Sequence, residues 1–247
     1  MSDASDETAA LVGATGGAGT TRLTVELGAL LANDGREVLL LDAAFATQGL
    51  SDYLSGRLAP DMTALLTDED ESPLSAGVVD FPLDTEGRLA CCPAAAPFER
   101  LARAKSPAAA EQLEARIAQA ATAFDTVLVD TPPVAANQSV AAVNAADRTV
   151  VVAPATTRGR DAIQRMSDRL TDLGVDVDGV VTTRGSLSVA DASVPETTAD
   201  VTAAPTCLSD RSMATAVADV AGVAVDVTPS TEGGRGLLDS VGGFVSR

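Results

Sequence analysis

Short runs of apolar residues alternate along the chain with segments whose apolar residues recur every three to four positions. The run at residues 9–14 precedes leucines at helical spacing in residues 21–32, and a continuous apolar run follows at residues 38–41. Such runs are typical of parallel strands that are covered on both faces. The same pattern predicts further strands at 88–92, 126–129, 149–153 and 177–182, and further helices at 107–124, 138–146, 159–173 and 211–221.

This repeated alternation predicts an α/β fold with three layers, in which helices cover both faces of a mostly parallel sheet. Residues 1–8 are expected to form a disordered acidic tail, and residues 9–247 a single domain, because nothing in between marks a linker or a repeat. Residues 61–87 are expected to be irregular, with the acidic stretch at 67–72 as a solvated loop. Residues 186–199 are expected to form a variable loop.

The chain is strongly acidic, with 35 Asp and Glu against 17 Lys and Arg, and Lys105 is the single lysine. Surfaces that are rich in acids and poor in lysine stay hydrated in concentrated salt, where self-repulsion is screened. We therefore expect a halophilic, salt-adapted protein of the cytoplasm. The charge also disfavours nucleic acid as a partner, since binding to phosphates requires basic patches.

A glycine-rich turn directly after the first predicted strand carries the candidate chemistry. Residues 13–21 read G-A-T-G-G-A-G-T-T and open the first predicted helix. Glycines in such a turn allow backbone N–H groups to surround an anion at a helix N-terminus, where the helix dipole also favours negative charge. The turn therefore predicts a phosphate-binding loop.

Dinucleotide-binding Rossmann proteins are one class that uses such a turn. Their G-x-x-G-x-x-G pattern is matched by Gly13, Gly16 and Gly19, and Asp42 could hold a ribose hydroxyl at the end of the second strand. The single tyrosine, Tyr53, has no lysine four residues later, so a tyrosine–lysine proton relay is missing. An NAD(P)-binding protein is the weaker alternative.

Several blocks of sequence, in the right order from residue 9 to 227, resemble the MinD/ParA/Mrp branch of P-loop ATPases. The family's K-G-G-x-G-K-T-T loop aligns with residues 15–22, and its Walker B strand aligns with residues 124–133. The resemblance implies nucleotide contacts from a continuous set of residues, and Mg²⁺ contacts from three. The nucleotide set is Gly16, Gly17, Ala18, Gly19, Thr20, Thr21 and Arg22, and the Mg²⁺ set is Thr21, Asp42 and Asp130.

The chain departs from the family pattern at three catalytic positions. The signature lysine is Thr15, the lysine that contacts the β- and γ-phosphates is Thr20, and the aspartate associated with the attacking water is Ala44. Loss of two charged hydrogen bonds costs about 3–6 kcal/mol, or about 10²–10⁴-fold in affinity. We therefore expect a degenerate Walker A loop, weak or lost binding of ATP and Mg²⁺, and weak or no hydrolysis. A slow but genuine Mg-ATPase is the alternative.

The resemblance also implies a regulatory or positioning role, as in cell division or partitioning, through a protein partner, a homodimer or a heterodimer. A terminal segment near residues 236–245 is expected to dock on the domain rather than to bind membrane, because Gly242 and Gly243 weaken a helix there. The three cysteines, Cys91, Cys92 and Cys207, have no metal-binding spacing. Sequence alone does not define their role.

Overall fold

Eight strands, seven α-helices and three short 3₁₀ helices follow one another in the computed structural model, which describes residues 7–68, 72–227 and 229. The strands are β1 (Glu7–Gly13), β2 (Glu37–Asp42), β3 (Val79–Asp80), β4 (Arg88–Cys92), β5 (Thr126–Thr131), β6 (Arg148–Pro154), β7 (Gly179–Thr183) and β8 (Ala192–Ser193). The helices are α1 (Thr20–Asn33), α2 (Met62–Thr67), α3 (Phe98–Ala104), α4 (Pro107–Ala121), α5 (Asn137–Ala145), α6 (Thr157–Asp172) and α7 (Arg211–Ala224).

All eight strands join one sheet in the order β3-β4-β2-β5-β1-β6-β7-β8, in which β3 is the antiparallel strand. β5 lies between β1 and β2 and pairs with both in parallel. In a Rossmann sheet the second strand lies directly beside the first. The Rossmann alternative is therefore wrong, because Asp42 ends a strand that is not the neighbour of β1.

Alternate residues of each central strand face two different helical layers, as β2 illustrates. Val38 and Leu40 pack in a core with α1 and α7, whereas Leu39 and Leu41 pack in a core with α2, α4 and α5. A further cluster joins α6 to β1 and β6 on the second face. The predicted three-layer α/β architecture is confirmed.

Some predictions need correction. Residues 61–87 are not wholly irregular, because Asp61 caps α2 by accepting hydrogen bonds from the N–H groups of Thr63 and Ala64. β1 begins at Glu7, so residues 7 and 8 belong to the sheet, whereas residues 1–6 lie outside the described residues. The predicted loop at 186–199 contains β8. The predicted terminal segment near 236–245 also lies outside the described residues.

Among the helices of the described residues, none combines the length and the apolar character that crossing a bilayer requires.

Candidate nucleotide site

The glycine-rich loop connects β1 to α1 at the carboxyl edge of the sheet. Gly17 and Gly19 have φ angles of 72° and 85°, which side chains other than glycine adopt rarely. Gly19 is the N-cap residue of α1, and the first turn of the helix begins directly after it. The predicted nucleotide-binding residues therefore share one loop and one helical turn.

Backbone N–H groups in this loop are left without protein acceptors. Among the described residues this holds for Gly16, Gly17, Gly19 and residues 20–22, while the Ala18 N–H donates to the Thr15 carbonyl at 3.3 Å. Unpaired N–H groups at a helix N-terminus form a binding site for an anion, and the helix dipole adds to their effect. The loop has the shape of a phosphate cradle.

Thr20 packs against the end of β1 instead of extending over the loop. The residue is 8 % exposed, and a Cβ atom placed on Gly13 would lie 2.9 Å from the Thr20 Oγ1 atom. Its side chain is short and uncharged. No cation therefore enters the cradle from this position.

Thr21 and Asp130 form the direct side-chain contact of the predicted Mg²⁺ set. The Thr21 hydroxyl donates a 2.6 Å hydrogen bond to Asp130 Oδ2. In P-loop proteins a hydroxyl at this position and a carboxylate at the end of a neighbouring strand hold Mg²⁺. Mg²⁺ prefers hard oxygen ligands, so the chemistry of these two groups fits the ion.

Asp42 lies beside Asp130, as the residues are register partners on β2 and β5. Its two carboxylate oxygens accept hydrogen bonds from the N–H groups of Ala44 at 2.8 Å and Ala94 at 3.2 Å. Burial, and then the nearby Asp130 charge, raise the pKa of Asp42, and burial likewise raises the pKa of Asp130. A cation at this edge would favour the ionised form of both acids.

Arg22, predicted to contact nucleotide, has a guanidinium that hydrogen-bonds to groups outside the cradle. Its Nε atom donates to Glu26 Oε1 at 2.8 Å, and Nη1 donates to the Ala199 carbonyl at 3.1 Å. Glu26 also accepts from the N–H groups of Thr206 and Cys207, at 2.9 and 2.8 Å. In this arrangement the predicted nucleotide contact of Arg22 could come only from its backbone N–H group.

A cavity of about 220 Å³ opens beside the loop, between the start of α1, the end of β7 and residues 194–201. Gly19, Tyr53, Thr183 and Arg184 are among its lining residues. Tyr53 was not among the residues that the sequence predicted for the site. Its proximity depends on the short 3₁₀ helix Gly49–Tyr53, which no apolar period indicates.

The cysteines are all free and buried, and they belong to the core. Cys91 and Cys92 are adjacent on β4 and therefore enter the two different cores. Burial raises the pKa of all three thiols. Over the described ranges, no cluster of three or more His, Cys, Asp or Glu side chains is positioned to bind a metal.

This chain has recognisable relatives among known proteins. The family model AAA_31, described as an AAA domain, matches residues 7–176. The maintenance of carboxysome distribution protein A of Synechococcus elongatus is 29 % identical over 160 residues, which are 64 % of this chain and 62 % of that protein. The chain thus matches less than two thirds of that relative's length.

Solved structures of MinD share the fold. The MinC:MinD cell division protein complex of Aquifex aeolicus gives a TM-score of 0.69 at 24 % identity, over 87 % of this chain and 94 % of that one. The septum site-determining protein MinD of Pyrococcus horikoshii, complexed with Mg-ADP, gives a TM-score of 0.63 at 19 % identity, over 77 % and 82 %. These likenesses confirm the MinD/ParA-like P-loop fold.

Proposed function

The chain belongs to the AAA_31 family, and from this premise we propose that it binds a nucleotide with Mg²⁺ through a degenerate Walker A loop and hydrolyses it weakly or not at all. Its role is then regulatory or positional, exerted through a protein partner or a second copy of the chain. The observation that carries the proposal is the set of unpaired N–H groups of Gly16, Gly17, Gly19 and residues 20–22, together with the Thr21–Asp130 contact in the first turn of the same helix.

Weak hydrolysis follows from the charges that the loop lacks. Phosphoryl transfer is accelerated mainly by positive charge placed on the phosphates and by an oriented nucleophile. Thr20 supplies no positive charge, and Ala44, where the family has an aspartate, supplies only a backbone N–H to Asp42. Mg²⁺, when bound, would polarise the phosphate oxygens, while the chain's own residues bind and orient the nucleotide.

A partner-based role is supported by the relatives. The MinD of Aquifex aeolicus was solved in complex with MinC, and the Synechococcus relative is named for the distribution of carboxysomes. A protein that binds nucleotide without rapid turnover can still present different surfaces to a partner with and without ligand. This supports a nucleotide-dependent interaction rather than catalysis as the output.

Titration of Mg-ATP and ADP by calorimetry tests the proposal, in wild type, Thr20→Lys and the charge control Thr171→Lys. Thr171 is exposed near the end of α6, so its lysine adds charge away from the loop. We expect Thr20→Lys to tighten ATP binding at least about 10-fold, as a charged hydrogen bond would, and Thr171→Lys to leave it unchanged. If neither the wild type nor Thr20→Lys binds any nucleotide, nucleotide binding by this loop is refuted.

The second candidate is a slow Mg-ATPase, and the Thr21–Asp130 contact favours it because both Mg²⁺-binding groups are retained. Release of radiolabelled phosphate distinguishes the two. Turnover comparable to that of active relatives, abolished by Asp130→Asn, would establish the enzyme and overturn the proposal of weak hydrolysis. Turnover that is unaffected by Asp130→Asn would come from a contaminant.

A further inference from the structure

Two arginines, Arg22 and Arg184, line the cavity beside the phosphate cradle. If the cradle binds nucleotide as proposed, either guanidinium could compensate for the absent lysines. Their hydrogen bonds differ, however, and this difference indicates which of them is available to a ligand.

Arg22 is committed to the protein. Besides Glu26 and the Ala199 carbonyl, its guanidinium contacts the Asp200 carbonyl at 3.4 Å and the Thr206 hydroxyl at 3.5 Å. The side chain of Glu26 is only 3 % exposed. Removing Arg22 from this carboxylate would leave a buried charge without its counter-ion, which is costly.

Arg184 is held close to the cradle by its neighbour in sequence. The Thr183 hydroxyl donates a 2.6 Å hydrogen bond to the carbonyl of Ala18 in the loop, and a Cβ atom placed on Gly19 would lie 3.5 Å from the Thr183 side chain. Arg184 is the next residue after Thr183. The position of the Arg184 backbone relative to the loop is therefore fixed.

The side chain of Arg184 is uncommitted. Within residues 7–68, 72–227 and 229 it forms no hydrogen bond and no ion pair, although the chain carries 35 acidic residues. Its backbone has a φ of 60°, in the left-handed region that residues other than glycine rarely adopt. Residues held in such conformations cluster at active sites and ligand-binding segments.

We propose that the Arg184 guanidinium, from the residue directly after β7, binds the nucleotide's phosphate group nearest the nucleoside, and so brings to the phosphates a positive charge that the loop itself does not supply. This proposal rests on the proposed function. Arginine suits the role because its planar donors can bind two phosphate oxygens at once and its charge persists at all physiological pH values. Arg184 and the loop residue Gly19 line the same cavity, which therefore adjoins the cradle.

Calorimetric titration of ADP, AMP and adenosine against wild type, Arg184→Gly and Arg165→Ala tests this inference. Arg165 is an exposed arginine of α6 outside the cavity, and it controls for loss of one positive charge. We expect Arg184→Gly to weaken ADP and AMP binding about 10- to 100-fold, to change adenosine binding less than about 2-fold, and Arg165→Ala to change neither. Equal loss for adenosine would assign Arg184 to the base and overturn the proposal, as would unchanged ADP affinity.

Arg184→Gly also separates binding from folding. Glycine accepts a φ of 60° without steric cost, so the variant should unfold at a temperature no lower than that of wild type while binding ADP less tightly. Arg184→Lys should recover part of the affinity, because it keeps the charge and loses the planar donor pair. Should wild type itself bind none of the ligands, the proposed function fails together with this inference; binding by wild type with no effect of Arg184→Gly refutes the inference alone.

Discussion

The Thr21 hydroxyl lies 2.6 Å from Asp130 Oδ2, although 109 residues separate the two along the chain. The Asp130 carboxylate is buried, and among the described residues only Thr21 donates a hydrogen bond to it. We expect Thr21→Val to reduce the free energy of unfolding by about 1–3 kcal/mol at neutral pH, because it leaves this carboxylate without a hydrogen bond. Urea unfolding without nucleotide measures the change.

Thr24→Val is the matched control for that variant. Thr24 lies in the next turn of α1, and its hydroxyl donates to the Thr20 carbonyl rather than to a carboxylate. The same substitution there removes a hydroxyl but leaves no charged group unpaired, so its effect should be smaller. Equal losses in the two variants would show that the Thr21–Asp130 bond contributes nothing specific.

Glu26 predicts a pH dependence of stability. Burial by itself raises the pKa of Glu26, but hydrogen bonds from the Thr206 and Cys207 N–H groups and from Arg22 outweigh it and hold this pKa below its usual value of 4.5. The folded state therefore favours the ionised form, and the resulting stability is present above about pH 4.5 and lost as pH falls through the folded pKa. Acidification should remove this contribution.

The variant Glu26→Gln isolates that contribution from the other acids. We expect it to be less stable than wild type by about 1–3 kcal/mol at pH 7, with the difference shrinking as pH falls below about 4.5. Glu111→Gln, on the exposed surface of α4, is the control and should match wild type throughout. A difference between Glu26→Gln and wild type that is constant with pH would contradict the role of the ionised carboxylate.

The sequence predicted those helices and strands that are marked by an apolar pattern within the element itself and that are long enough to show it. β4 was predicted at its observed bounds, and α1 within one residue at each end, because an uninterrupted apolar run or a sustained apolar period marks each element. α2 and α3 were missed, since six or seven residues are too few to establish a helical period. The sole sequence signal for α2 is its capping residue, Asp61.

Long-range pairing lies beyond what such patterns contain. The loop of residues 16–22 was identified from its glycines, whereas the insertion of β5 between β1 and β2 depends on strand pairing across the whole chain. The direction of the Arg22 side chain depends on residues 199–206, which are 177 or more positions away. The match of Arg22 to a family position therefore predicted a contact that its backbone can make, but it did not predict where the side chain points.

Tyr53 provides a direct reporter of the cavity because it is the single tyrosine. Incorporation of 3-fluorotyrosine should give one ¹⁹F resonance for the folded protein, and this resonance should shift on addition of Mg-ADP. Burial raises the pKa of the unlabelled Tyr53 to about 12, so ionisation should not occur near neutral pH. A resonance that does not move at saturating ligand would place the nucleotide outside this cavity.

The acidic surface predicts that salt stabilises the folded protein. With a formal net charge of −18, the compact state suffers self-repulsion, which unfolding relieves. Raising the ionic strength from 0.1 to 1 M shortens the Debye length from about 10 Å to about 3 Å and screens this repulsion. We expect the midpoint of thermal unfolding, followed by circular dichroism, to rise steadily between 0.1 and 2 M KCl. Sodium chloride at the same ionic strengths should act similarly, since screening depends on ionic strength rather than on the identity of the cation. A midpoint that stays constant or falls would remove the basis for regarding this chain as salt-adapted.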